Sequence, residues 1–144
     1  MKIDFWQLST DPAEKVCALI AQRVLDSGER LLVVSNDPDQ RDTISKALWN
    51  AGPTSFLANA EVDADGPERQ PVLLSDVPEP ANGAGHVIFA DGQYRETDGF
   101  ERTFLLFDEA TVEQARAVWR SLDGKDDLER AFYRQEGGKW VKVA

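Results

Sequence analysis

Cysteine and histidine are almost missing from this chain: Cys17 and His86 are the single residues of their types among 144. A lone cysteine excludes an internal disulfide and a CxxC metal or redox site. With one histidine it cannot supply an ordinary Cys/His zinc site either. Positive charge is scarce as well: 16 Lys and Arg stand against 26 Asp and Glu, a net charge of −10 at pH 7 with a pI near 4.5. A broad grip on nucleic acid and attachment to an anionic membrane both need many basic contacts, so neither is expected as the main task. No apolar run approaches the ~20 residues that cross a bilayer. The opening MKIDFWQLSTD carries Lys2 and Asp4 and lacks the apolar stretch of a signal peptide. A cytoplasmic protein with one domain over residues 1–144 is expected. Its 42% hydrophobic content suffices for a core at this length.

What is present alternates strand and helix. Met1 to Leu8 reads as a strand with Ile3, Phe5 and Gln7 on one face and Asp4, Trp6 and Leu8 on the other. Asp11-Pro12-Ala13-Glu14 carries helix-start residues, Asp as N-cap with Glu three positions on, and predicts a helix from Pro12 to about Ser27. Val16, Ile20 and Val24 repeat every four residues along it, and Gly28 ends it. LLVV within Arg30–Ser35 suits a strand covered on both faces. Asp37-Pro38 repeats the start signal for a helix from Pro38 to about Asn50, stopped by Gly52-Pro53. Further strands are expected at Thr54–Leu57, Pro71–Ser75, His86–Ala90 and Arg102–Phe107, with polar loops at 58–70 and 91–101. Helices are expected at Thr111–Leu122 and Asp126–Gln135. The pattern predicts a three-layer α/β domain around a central, mostly parallel sheet.

Catalytic and cofactor signatures are lacking. The first strand–helix turn is Ser9-Thr10-Asp11-Pro12: no Gly lets a phosphate approach, Pro removes an amide donor, and Asp places negative charge where phosphate would sit. The second turn, Asn36-Asp37-Pro38-Asp39, fails for the same reasons. Asp37/Asp39, Asp63/Asp65 and Asp126/Asp127 are carboxylate pairs, read as helix-start and loop-solvating residues rather than as a metal site. A phosphoacceptor domain would need paired acids where Leu8-Ser9 stand. There is no G-x-S-x-G, and His86 has no Ser or Cys partner at a strand–helix elbow. No catalytic residue, metal ligand or cofactor is assigned. A small α/β enzyme or nucleotide-binding protein, with its site in loops 58–70 or 91–101, is the alternative.

The unusual feature is four Trp, at 6, 49, 119 and 140. Trp6 reads as core. Trp49 and Phe56 fit either an interface or a core role. On a helix, Arg116, Trp119 and Arg120 share one face. They either bind a ligand or take part in helix salt bridges, since Glu113 precedes Arg116 by three. Two guanidinium groups beside an indole suit an acidic peptide ending in an aromatic residue and a carboxylate.

The strand IDFWQL, Ala47-Leu48-Trp49 followed by Ser55-Phe56-Leu57, PVLLS, Ala115-Arg116-Ala117-Val118-Trp119-Arg120 and Tyr133-Arg134-Gln135-Glu136-Gly137-Gly138-Lys139-Trp140 together resemble the chi subunit family of the bacterial DNA polymerase III holoenzyme. The resemblance implies a Rossmann-like fold without nucleotide binding, and a non-catalytic adaptor of a DNA-directed DNA polymerase. One surface would bind the psi subunit of the clamp loader, another the acidic C-terminal tail of single-stranded DNA-binding protein. Carried over by position, Arg116 holds the tail's terminal carboxylate, Trp119 walls its Phe pocket, and Arg120 meets its acidic residues. Trp49 and Phe56 match the psi-binding aromatics. Val112 departs from a basic residue found in some members, and Leu57-Ala58-Asn59 departs from a Pro-His turn. The implied partners include no sequence-specific nucleic acid and no membrane, and the chain is expected to be a monomer alone.

Overall fold

In a computed structural model the described residues are 1–50, 57–97, 99–125 and 127–144. The chain runs β1 (Lys2–Gln7), α1 (Ala13–Asp26), β2 (Leu31–Val34), α2 (Pro38–Trp49), β3 (Asn59–Glu61), β4 (Val72–Ser75), β5 (His86–Phe89), β6 (Arg102–Phe107), α3 (Val112–Ser121), β7 (Glu129–Glu136) and β8 (Lys139–Lys142). The strands form one eight-stranded sheet in the order β3-β4-β2-β5-β6-β1-β7-β8. Every pairing is parallel except β7 with β8. The expected three-layer α/β architecture is therefore present.

Period-two alternation divides the core between the two faces of the sheet. Trp6, Val33, Ile88, Phe104 and Leu106 meet α1 and α2 on one face. Ile3, Phe5, Val34, Phe89 and Leu105 meet α3 and the segment after β5 on the other. The central strands β2, β4 and β5 are apolar on both faces because both are covered.

Three expectations are corrected. The described residues of the expected helix at 126–135 are not helical, and from Glu129 on they form strand β7. The edge of β1 not paired with β6 carries backbone groups that need a ladder partner, which a helix cannot supply. As a strand, β7 also finds a partner on each side: Ala131 is buried, and Phe132 stacks on Phe5 at 6.4 Å. Gly137 and Gly138, both at positive φ (56° and 79°), close the hairpin into β8. This is the two-residue turn that demands left-handed backbone at both positions.

The second correction concerns Asp11, which does not cap α1. Pro12 is the N-cap, without a side-chain hydrogen bond. The Asp11 carboxylate instead accepts from Gln135 Nε2 at 2.8 Å and Lys15 Nζ at 3.1 Å. By contrast Asp37 caps α2 as expected, accepting from the Asp39 amide at 3.0 Å.

The third is β3, which lies inside the stretch read as loop 58–70; the expected strand at 54–57 falls mostly outside the described residues. At a sheet edge polar residues are tolerated. Asn59 receives the Ser45 hydroxyl and donates to the Leu57 carbonyl, and Glu61 pairs with Arg41.

Candidate interaction surfaces

The position where an open parallel sheet binds ligands is the C-terminal end of its strands. Here that end holds a cavity of about 500 Å³ lined by Asp11, Gln40, Asp91, Asp108 and Thr111, among others. The amides of Thr10 and Asp11, which a nucleotide fold would turn toward phosphate, both donate to Gln135 Oε1 at 3.2 Å. The donors are taken and the rim is acidic. Hydrogen bonds from Gln135, then Lys15, hold the Asp11 carboxyl below its usual range. Burial would raise that of Asp91, but the Arg95 guanidinium and the Asn36 and Gln93 amides outweigh it and hold it low.

The loops of the alternative reading carry structural contacts, and Tyr94, Glu96 and Thr97 also line a cavity of about 510 Å³. In 91–101, Asp91 pairs with Arg95 at 2.7 Å, Tyr94 packs edge-on to Phe89, and Phe100 is buried in the core. In 58–70, Glu61 is tied to Arg41. Cys17 is fully buried on α1, and burial pushes its thiol up, so it acts as a small apolar side chain.

Helix α3 begins where Asp108 and Thr111 exchange hydrogen bonds: the Asp108 amide donates to Thr111 Oγ1 at 3.0 Å, and the Thr111 amide to Asp108 Oδ1 at 3.1 Å. Gly92, at φ +76°, packs so closely on Thr111 that a Cβ would fall 2.7 Å from its hydroxyl. Ala115 faces the core, with Val112, Val118 and Trp119 packed partly against it. Val112 is thus used for packing.

Arg116 and Arg120 remain exposed. Arg116 pairs with Glu113 at 2.9 Å, but both side chains are more than half exposed, so the pair is weak and exchangeable. Arg120 forms no ion pair among the described residues. Trp119 is half-buried. Its ring meets Phe5 edge-on at 5.1 Å and Phe132 at 5.9 Å.

Arg130 completes this surface and was not among the expected residues. Its guanidinium lies 4.3 Å over the Trp119 ring, and it also bonds the Trp119 carbonyl and the Asp123 carboxylate. Only the strand character of β7, whose residues alternate between faces, brings Arg130 and Phe132 together under α3. The Gly-Gly hairpin turn is the sequence signal that could have found it.

On the opposite face of the sheet, Trp49 ends α2 with 45% of its surface exposed. Leu19 of α1 is exposed as well, and a groove between α1 and α2 is lined by Ala18, Leu19, Gln22 and Ala47. Phe56 lies outside the described residues. The backbone returns beside Trp49 through the Leu57 amide, which donates to the Leu48 carbonyl at 3.0 Å. Among the described helices none is long and apolar enough to cross a membrane.

No curated protein matches this sequence at a significant level. The family described as DNA polymerase III chi subunit, HolC, matches residues 1–126. That span holds Trp49, Trp119 and every helix among the described residues, and the chain belongs to the DNA polymerase III chi subunit family.

Proposed function

We propose that this replication accessory subunit is a cytoplasmic, non-catalytic adaptor. It binds the acidic C-terminal tail of single-stranded DNA-binding protein on the α3 face and the psi subunit of the clamp loader on the α2 face. The carrying observation is the placement of the two surfaces on opposite faces of one sheet, which lets both partners be held at once. In the tail site Arg116 takes the terminal carboxylate and Arg120 the acidic side chains, while Trp119 walls the pocket of the last aromatic residue. Arg130 steadies Trp119 from beneath. In a molecule of net charge −10, the attraction for an acidic tail is local and screened by salt. Trp49 and Phe56 form the psi-binding aromatics.

Titration with a peptide ending in Asp-Asp-Asp-Ile-Pro-Phe tests the tail site. Saturable binding is expected, weakened by added salt and by Arg116→Ala. Binding indifferent to Arg116→Ala removes the assignment. Stabilisation by a nucleotide with Mg²⁺ in a thermal-shift experiment would favour the enzymatic reading instead.

A further inference from the structure

At the other end of the sheet, where β5 and β6 begin, three side chains converge that neither surface uses. We propose that Glu29, His86 and Glu101 bind a divalent transition-metal cation, with Zn²⁺ the best match. Each offers a ligand atom, and these atoms all lie within 4.8 Å of one another. The backbones that carry them are fixed. Glu29 sits in the turn closing α1, its amide donating to the Val24 carbonyl at 3.2 Å. His86 opens β5. Glu101 is pinned beside it by its amide, which donates to the Gly85 carbonyl at 2.8 Å.

The arrangement is not a hydrogen-bonded cluster. Among the described residues, neither carboxylate makes an ion pair and His86 joins neither of them. Of the neighbouring cations, Lys2 and Arg102 face Asp4 and Arg30 donates to the Glu68 and Asn82 carbonyls, while Arg23 lines the cavity on the inner side of His86. Two like charges approach beside an imidazole, and a cation relieves their repulsion. Ligands about 2.0–2.2 Å from a tetrahedral zinc stand roughly 3.4 Å apart. Rotation of the two exposed glutamates closes the difference.

A second observation is independent of the acids. His86 Nδ1 is buried with no hydrogen-bond partner. Trp6 Nε1 is in the same condition, and both residues line one cavity of about 200 Å³ beneath α1. An orphan imidazole nitrogen is satisfied by a metal directly or through an outer partner. Neither glutamate lines that cavity, whose walls include Arg23 and Arg102, so the metal would sit at its mouth on the outer side of His86, and a water within it would serve the Trp6 indole N–H. The donor set of one nitrogen and two oxygens, without thiolate, suits Zn²⁺ better than Mg²⁺ or Ca²⁺, which prefer oxygen alone. It is a different kind of site from the Cys/His type that the composition excludes.

Tag-free protein titrated calorimetrically with ZnCl₂ is expected to bind one equivalent, uncontested by excess Mg²⁺. His86→Gln should abolish this binding. Glu29→Gln and Glu101→Gln, both on exposed side chains, should weaken it by at least the roughly tenfold that even an outer partner contributes. Because the chain has one histidine, a long-range ¹H–¹⁵N spectrum contains a single imidazole, whose nitrogens should shift at one equivalent. Zinc binding that survives His86→Gln, an unresponsive imidazole, or no binding by the unmodified protein overturns the proposal. Tail-peptide affinity is expected to stay unchanged in the His86 variant, which separates this site from the α3 surface.

Discussion

Helices α1 and α3 cover opposite faces of the same sheet and divide their residues differently. The first buries Val16, Cys17, Ile20, Ala21 and Val24; the second buries only Ala115. An apolar stripe repeating at three and four residues turns nearly the whole inner face of α1 into core. On α3 the inner face is shared among Ala115 and the half-buried Val112, Val118 and Trp119, leaving the two arginines outward. A helix that lends few residues to packing keeps the rest for a partner. The difference predicts that damage to α1 is read as instability and damage to α3 as lost binding.

The largest effect belongs to α1. Ile20→Ala removes a side chain only 2% exposed and should cost about 2–5 kcal/mol in urea unfolding. Tail-peptide affinity of the folded fraction should not change. Next comes Arg116→Ala. A hydrogen bond to a charged group contributes about 1.5–3 kcal/mol, so tail affinity should fall by about tenfold or more. The unfolding midpoint should move by less than the equivalent of about 0.5 kcal/mol, because the one ion pair lost among the described residues is exposed. If Arg116→Ala instead unfolds the protein, α3 is as structural as α1 and the comparison fails.

That contrast was partly legible in the residues. The runs LLVV and RTFLLF, the cap at Asp37 and the fourfold repeat of Val16, Ile20 and Val24 are local signals, and the elements appear where these signals stand. The outward face of Arg116 and Arg120 also follows from helical spacing. Strand β7 was hidden because Leu128, Ala131 and Phe132 fit helical spacing, while its strand form is imposed by the open edge of β1. With β7 went Arg130 and Gln135, the residues that steady Trp119 and occupy the first turn's amides. The convergence of Glu29, His86 and Glu101 was out of reach for a related reason: three separated segments meet only once the strand order is known.

Arg130→Met tests the support beneath α3. It removes the cation over the Trp119 ring and the bonds to the Trp119 carbonyl and Asp123. A loss of about 1 kcal/mol in unfolding is expected, together with a severalfold weaker tail. This intermediate result would sharpen the comparison by locating the one residue that serves both packing and binding. A change in stability with no change in tail affinity would detach Trp119 from the site.

The smallest expected effect lies in acid and compares the supports at the starts of the two helices. Asp11 stands before α1, tied to Gln135 and Lys15; Asp91 precedes Gly92, whose backbone packs on Thr111 at the start of α3. Both carboxyls are held below their ordinary values, so the unfolded chain takes up their protons first. Their contribution to stability is complete above the ordinary carboxylate range, near pH 4. It is lost as pH falls through that range toward the lower folded values. Asp91→Asn should therefore be less stable than the unmodified protein at pH 7, and the gap should close on acidification. The Asp91 side chain is 11% exposed and chelated by Arg95, whereas that of Asp11 is 25% exposed. Solvent screens the second more than the first. Urea midpoints between pH 7 and 3 should thus separate Asp91→Asn from the unmodified protein more widely than Asp11→Asn. The opposite order would mean that the support at α1 is the stronger charge contact, and that α3 is held at its start by the Asp108–Thr111 hydrogen bonds and the Gly92–Thr111 packing without help from Asp91.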